Sequence, residues 1–362
     1  MEFINLSKED IPDFKEFLLD SAVKLNKVKQ EDDLYLLIFN TNQQFAMTKE
    51  VYKEIYPSKY ENDLIFGKDK TERIVSIEID NDKLVIFKET EDSVIKEERP
   101  NYFWLITHDK VSSKQTELLG NQHYKWLGKF DKLTDYLKAK NAVYNKDHYK
   151  INDGKEASLV YNGITYFKGM NVSDVSVLSF DIESDGLAKH NKSEVYIITN
   201  SYRKNGRLVN KTFRLDEYAS QGEMLVSWAD WVREMDPSIL LGHNILSYDI
   251  PYIMHVAQLN DVEICLGRNG TVPEVAAYTA KFRKDGSQSY DYNNIFIYGR
   301  EIVDTMFLSI KYDVARNFES YGLKAIVKHL GLEKEGRSFV DASKIKEYYN
   351  NRKQNSEMWD KV

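Results

Sequence analysis

The sequence predicts an α/β fold: a mixed β-sheet with helices on its faces over the second half of the chain, preceded by a smaller α+β unit. Three observations carry this. Val175-Ser-Val-Leu-Ser-Phe180 and Val195-Tyr-Ile-Ile-Thr199 are mostly apolar, β-branched runs of strand length. A turn at Lys204-Asn-Gly206 leads into a third strand. A helix from about Gly222 to Met235 is then followed by a returning apolar strand, Ser238-Ile-Leu-Leu241. Strands that first run as hairpins and then return after a helix make a sheet of mixed direction with helices packed against it.

Ahead of this region, residues 1–70 combine a helix expected from Ile11 to Lys27 with a strand-like run, Leu34 to Phe39, and carry no functional signature. From Arg73 to Lys88 two β-rich stretches flank Asp80-Asn-Asp-Lys83, a turn-rich tetrapeptide, and read as a hairpin. Residues 101–106 supply another strand. Lys132 to Lys140 places leucines at 133 and 137, the i,i+4 spacing of an amphipathic helix. The polar tract from Tyr144 to Gly154 is expected to be a linker. The expected organisation is therefore an extension of unknown role over 1–70, a small domain over 71–150 and the α/β domain over 151–362.

Composition narrows the function classes. With 42% hydrophobic residues, 30% charged and 6 prolines in 362 residues, the chain is an ordinary globular protein, far from disordered or fibrous classes. The single cysteine, Cys265, cannot form an internal disulfide and is expected to be a small buried hydrophobe in a reducing cytoplasm. No basic leader or apolar run of about 18 residues is present, so neither secretion nor a membrane partner is expected. A net charge of -7 argues against a general nucleic-acid coat but not against an enzyme that grips one DNA end through bound cations.

The chemistry is concentrated in Leu178-Ser-Phe-Asp181-Ile-Glu183-Ser-Asp185-Gly186. Alternation along a strand puts Asp181 and Glu183 on one face and Phe180 and Ile182 on the other. Paired carboxylates repel, which raises one pKa unless a hard cation such as Mg²⁺ is shared between them. Alone the pair also fits a solvated strand edge, and Asp261-Val-Glu263 repeats the spacing without the context. A second segment follows: Leu241-Gly-His-Asn244-Ile-Leu-Ser247-Tyr248-Asp249-Ile-Pro251. Here a strand ends near Asn244, Ser247 is the expected N-cap, and Asp249 sits at a helix N-terminus facing the first pair, a position that simple dipole complementation would also explain.

Together, Asp-Ile-Glu and Asn-x-x-x-Tyr-Asp resemble the first two exonuclease motifs of family B DNA polymerases of phage or archaeal type. The resemblance implies an RNase H-like 3′→5′ exonuclease domain whose carboxylates hold two divalent metal ions, Mg²⁺ or Mn²⁺. Asp181 would touch both ions, Glu183 would bind one and orient the attacking water, and Asp249 would help hold the second. Asn244 would contact the substrate strand near its 3′ end, with Tyr248 also on the DNA side. Lys281 to Gly286 and Ile295 to Arg300 are similar to the family's hairpin between the second and third motifs, and Lys281, Arg283 and Lys284 are its candidate DNA-facing cations. Ser320-Tyr-Gly-Leu-Lys-Ala-Ile326 resembles the helix start before the third motif, and Glu97 to Phe103 the N-terminal domain. For Asp304, a hydrogen bond that fixes a turn is the expected role.

The family's third motif, a Tyr and an Asp four residues apart, is not matched: Asp341 and Asp360 lack the tyrosine. Polymerase palm motifs are not matched either. The sequence is thus expected to stop before the third motif and to work with a C-terminal polymerase portion in cis or in trans. The implied function is proofreading hydrolysis of single-stranded DNA 3′ ends and primer-template DNA during replication, in the cytoplasm, for a phage that of its bacterial host. The alternatives are a non-catalytic single-stranded-DNA-binding or assembly subunit of a split polymerase, and an independent RNase H-like nuclease.

Overall fold

The computed structural model of the chain describes residues 3–20, 22–31, 34–56, 63–186, 189–284, 288–333 and 340–362. The chain divides into two compact units, one of Met1–Lys70 with Asn162–Thr165 and one of Thr71–Tyr161 with Tyr166–Val362.

The first unit contains β1 (Ile4–Leu6), α1 (Ile11–Leu19), β2 (Leu25–Glu31), β3 (Leu34–Phe39), β4 (Gln44–Thr48), α2 (Lys49–Ile55) and α3 (Asp63–Phe66). Its sheet runs β1-β4-β3-β2, and its core gathers Phe14, Leu37, Phe39, Phe45, Met47 and Val51. The helix expected from Ile11 to Lys27 stops at Leu19. The Asp20 carboxylate accepts the Ala22 N–H at 2.9 Å and turns the chain, and residues from Leu25 onward pair antiparallel with β3. Pairing with a neighbour overrides the local helical preference there.

The second unit begins with a three-stranded meander, β5 (Ile74–Asp80), β6 (Lys83–Glu89) and β7 (Val94–Pro100), whose first turn uses Asn81 at φ 55°. Then come β8 (Phe103–Thr107), β9 (Thr116–Glu117), β10 (Trp126–Phe130), α4 (Leu133–Ala142), β11 (His148–Tyr149) and α5 (Gly154–Asn162). They form a sheet in the order β11-β8-β10-β9. Two expectations change here. The polar tract from Tyr144 carries β11, an edge strand pairing with β8, and Leu133 and Leu137 of α4 stay 43% and 42% exposed, so this helix buries no residue fully.

The α/β region supplies β12 (Val177–Ser184), β13 (Val195–Lys204), β14 (Arg207–Arg214), α6 (Gln221–Met235), β15 (Ile239–Gly242) and α7 (Asp249–Leu259). After the hairpin β16 (Glu274–Arg283) and β17 (Ser289–Phe296) follow β18 (Glu301–Asp304), α8 (Thr305–Tyr312), α9 (Leu323–His329), α10 (Ile345–Asn351) and α11 (Ser356–Trp359). The five-stranded sheet has the order β14-β13-β12-β15-β18, antiparallel across β14, β13 and β12 and parallel across β12, β15 and β18. This is the mixed α/β sheet the sequence predicts, and its arrangement is RNase H-like. Ser220 caps α6 by accepting the Glu223 N–H at 3.1 Å, and Trp228 of that helix is fully buried with its indole N–H on Asn200 Oδ1 at 2.9 Å. Phe180, Ile182, Tyr196, Val232, Ile253 and Val256 complete the layer between sheet and helices.

Buried carboxylates fasten the meander to this sheet, Glu89 foremost, with Glu78 accepting the Gly299 N–H at 2.7 Å ahead of β18. Glu89 is wholly inaccessible; it accepts the Ser176 N–H at 2.8 Å and the Ser238 hydroxyl at 2.6 Å, and lies 3.4 Å from the Lys204 ammonium. Truncation strands all three partners. Glu89→Ala is therefore expected to destabilise this unit by about 3 kcal/mol in a urea titration. A loss below ~0.5 kcal/mol would show that the Glu89 carboxylate is not foremost in joining the two sheets.

Candidate active site

The site starts from the alternation of β12. Leu178, Phe180 and Ile182 are buried in the core between sheet and helices, which forces Asp181 and Glu183 onto the opposite face, Asp181 exposed and Glu183 half-buried. A bulge between Glu183 and Ser184 ends the regular pairing with β13 immediately after the two carboxylates.

The turn between β15 and α7 brings the third carboxylate. A Cβ at Gly242 would collide with the Ile245 side chain and come within 2.9 Å of the Phe180 carbonyl oxygen, so only glycine lets this turn lie against β12. Asn244 takes a left-handed conformation at φ 65°. Its N–H and that of Leu246 donate to the buried Asp304 carboxylate at 2.8 and 3.3 Å, and the same carboxylate caps α8 through Met306 N–H at 3.0 Å. His243 ties the turn to Thr305 Oγ1 at 3.0 Å and to the Tyr321 carbonyl at 2.8 Å. The chain then enters α7 at Asp249, with Tyr248 in the N-cap position and no side-chain cap. Ser247, the expected cap, is one residue too early, because Asn244 already accepts the N–H groups of Ser247 and Tyr248 in a preceding turn.

Asp249 is 2% exposed, and its Oδ1 accepts the backbone N–H of Ile182 at 3.2 Å. Ile182 stands between Asp181 and Glu183, so three carboxylates from two distant segments meet at one place on the sheet. Burial and then the Asp181 charge push Asp249 up to about 7. Burial and Asp181 likewise raise Glu183, against an opposing pull from Lys324. The three do not close around a single point; no common 4.8 Å cluster forms. In this acidic set one carboxylate repels two others, a repulsion that a bound cation would relieve.

The expected DNA-side residues divide. Asn244 is half-buried, and its side-chain amide makes no hydrogen bond among the described residues. The Tyr248 hydroxyl is engaged with Ser184 Oγ and with the Gly186 carbonyl at 3.0 Å, so it braces the end of β12. Lys281 pairs with Asp291 across the hairpin at 3.6 Å, Lys284 donates to the Tyr321 hydroxyl at 2.6 Å, and Arg283 is exposed with no ion pair among the described residues. Asp285 and Gly286, at the expected hairpin tip, lie outside the described residues. Phe282 and Tyr292 of the hairpin pack on Phe307 of α8, with ring centroids 4.6 and 5.0 Å apart, and Asn293 donates to the Leu246 carbonyl at 3.1 Å. The hairpin is thereby anchored beside the turn that carries Asn244.

Asp304 has the turn-fixing role expected of it. Lys324 was not singled out in the sequence: it lies within the Ser320–Ile326 segment, but a lysine near a helix start looks like any solvated cation until its neighbours are known. Asp261 and Glu263 are exposed and follow α7 in a turn. Asp341 binds its own neighbour Ser343, and Asp360 pairs with Arg214 at 3.0 Å. Cys265 is half-buried. A cavity of about 810 Å³ lined by Pro251, Met254, His255 and Asp261 includes none of the three carboxylates.

Residues 160–326 match the family model described as DNA polymerase family B, exonuclease domain. The DNA polymerase delta catalytic subunit of Candida albicans is 26% identical over 225 residues, 52% of this chain and 21% of that protein. That of Caenorhabditis elegans is 39% identical over 88 residues, 23% of this chain and 8% of that protein. The DNA polymerase of Thermococcus aggregans is 29% identical over 108 residues, 28% of this chain and 6% of that protein. The family B DNA polymerase from the archaeon Pyrobaculum calidifontis has a similar fold, with a TM-score of 0.56 at 16% identity over 78% of this chain and 42% of that one. The matched stretches thus span 21% or less of these curated relatives. Strand order, motif spacing and family match agree that residues 160–326 carry a DNA polymerase family B exonuclease domain.

Proposed function

We propose that the chain is the N-terminal and proofreading part of a family B DNA-directed DNA polymerase, with Asp181, Glu183 and Asp249 as its 3′→5′ exonuclease carboxylates. The observation that carries this reading is the hydrogen bond from the Ile182 N–H to Asp249, which joins the two carboxylate motifs through the backbone. On this reading residues 71–150 serve as the family's N-terminal domain and residues 1–70 as an extension. The substrates are a single-stranded DNA 3′ end and primer-template DNA, and the polymerase portion acts in cis or in trans.

Exonuclease domains of this family use divalent metal ions. The residues present fit two of them, Mg²⁺ or Mn²⁺, because the acidic set is open and oxygen-only. Asp181, Glu183 and Asp249 would hold them. When bound, the ions supply an activated water and stabilise charge on the phosphodiester. The half-buried Glu183 carboxylate would orient the attacking water. The Asn244 amide meets the strand near its 3′ end, Tyr248 keeps the end of β12 in place, and Lys324 offsets negative charge beside Glu183. Arg283 offers a cation to the phosphates on the hairpin side.

In the full polymerase, Asp181→Ala or Glu183→Ala should slow digestion of a 3′-mismatched primer by ~100-fold or more while polymerisation and folding persist, since each removes a ligand and not a core contact. Asp261→Ala should be silent. Digestion at the parental rate by either ligand variant would reject the assignment.

A second consequence concerns pH. Asp249 has its pKa raised from 3.8 to about 7, so its protonated form is favoured in the folded chain. The stability this contributes is present below 3.8 and is lost as pH rises through about 7. In chelator-treated protein the unfolding midpoint should therefore fall between about pH 5 and pH 8 relative to Asp249→Asn, whose amide oxygen still accepts the Ile182 N–H. Mg²⁺ at the upper pH should restore the parent and leave the variant little changed. Parallel pH profiles, with and without Mg²⁺, would contradict this.

A further inference from the structure

We propose that His108, His123 and Asp147 form a binding site for a first-row transition-metal dication, with zinc the best fit, at one end of the sheet β11-β8-β10-β9. None of the exonuclease carboxylates takes part in it.

The three residues come from separate segments that the sheet brings together. His108 follows β8, His123 precedes β10 and Asp147 precedes β11, while Thr107 at the end of β8 is paired with both Trp126 and His148. The His108 N–H donates to the Asp147 carbonyl at 3.0 Å, which fixes the backbones of two of the three. One ligand atom from each residue lies within 4.8 Å of the others, the only such trio of His, Cys, Asp or Glu among the described residues.

Hydrogen bonding sets the tautomer a metal needs. His108 Nδ1 is 2.7 Å from the His123 carbonyl oxygen, which can only accept, so Nδ1 carries the proton and neutral His108 presents a bare Nε2. Ligating histidines are commonly oriented in this way, with the second ring nitrogen bound to a carbonyl. His123 Nε2 and Asp147 Oδ2 stand 2.6 Å apart and share a proton. A zinc ion bound at about 2 Å from each would take that proton's place, parting the two atoms by somewhat under 1 Å. Both side chains are free to move that far, at 62% and 51% exposed. The two imidazole rings stack with centroids 4.5 Å apart, which holds them as a pair.

Asp109, 3.8 Å from His108 Nε2 and 89% exposed, can reach a fourth position, as can water. Two imidazole nitrogens and a carboxylate oxygen suit Zn²⁺, Co²⁺ or Ni²⁺ and disfavour Mg²⁺, which takes an all-oxygen shell. The bound ion would clip the ends of β8, β10 and β11 together.

The test uses the full chain, stripped with chelator and titrated with Zn²⁺ by calorimetry and with Co²⁺ by visible absorption. With a tenfold excess of Mg²⁺ present to occupy the exonuclease carboxylates, one tight ion should bind per chain, with a Co²⁺ spectrum showing nitrogen ligands. The paired change His108→Ala with His123→Gln should weaken this binding at least tenfold and abolish the nitrogen-ligand Co²⁺ spectrum, while Asp147→Glu, which keeps the carboxylate, should retain that spectrum. Circular dichroism checks that each variant folds, and Asp147→Asn, which keeps the side-chain shape, provides a second route to the same loss. Absence of stoichiometric Zn²⁺ binding, or binding insensitive to the histidine and Asp147 changes, would overturn the proposal.

Discussion

The site depends on one hydrogen bond, from the backbone N–H of Ile182 to the carboxylate of Asp249. Strand β12 is longer than its parallel neighbour: pairing with β15 ends at Ser179 opposite Leu241, yet β12 continues to Ser184. Backbone donors on that side need an acceptor, because an unmatched buried N–H costs as much as a lost hydrogen bond. The acceptor comes from the first residue of α7. A fold requirement, the completion of a strand edge, thus puts a third carboxylate beside the two that alternation has already aligned.

The arrangement is electrostatically costly. Asp249 is almost completely buried and faces the charge of Asp181, and both effects drive it toward protonation. Neighbouring elements hold it there. Asp304 clamps the backbone of Asn244 and Leu246, His243 is tied at both ring nitrogens, and Gly242 permits the close approach to β12. Asp304 itself is fixed as the cap of α8. A carboxylate cluster held against its own repulsion is a setting in which cation chemistry is found.

Much of this could be read from residue order. The alternation in Leu178 to Ser184 was sufficient to place Asp181 and Glu183 on one face, and the run from Leu241 to Pro251 located a strand end and a helix start. What could not be read is what depends on distant neighbours. Residues 25–31 are too polar to announce a strand until β3 lies beside them, and His148–Tyr149 form β11 only because β8 offers an edge. The bonds from the Tyr248 hydroxyl to the end of β12 likewise depend on residues 62 and 64 positions earlier. The meeting of His108, His123 and Asp147 has no signature in their spacing, since it arises from sheet pairing.

The central claim is that Asp181, Glu183 and Asp249 bind divalent cations at the position where a DNA 3′ end is cut. Its most direct test is a crystal of the chain with a short single-stranded oligonucleotide and Mn²⁺, examined by anomalous scattering. The account predicts manganese within bonding distance of Asp181 and Glu183, with the oligonucleotide's terminal phosphodiester on the same ions and Asn244 against the strand. Anomalous density that leaves these carboxylates bare at saturating Mn²⁺, with DNA bound elsewhere on the chain, would contradict it.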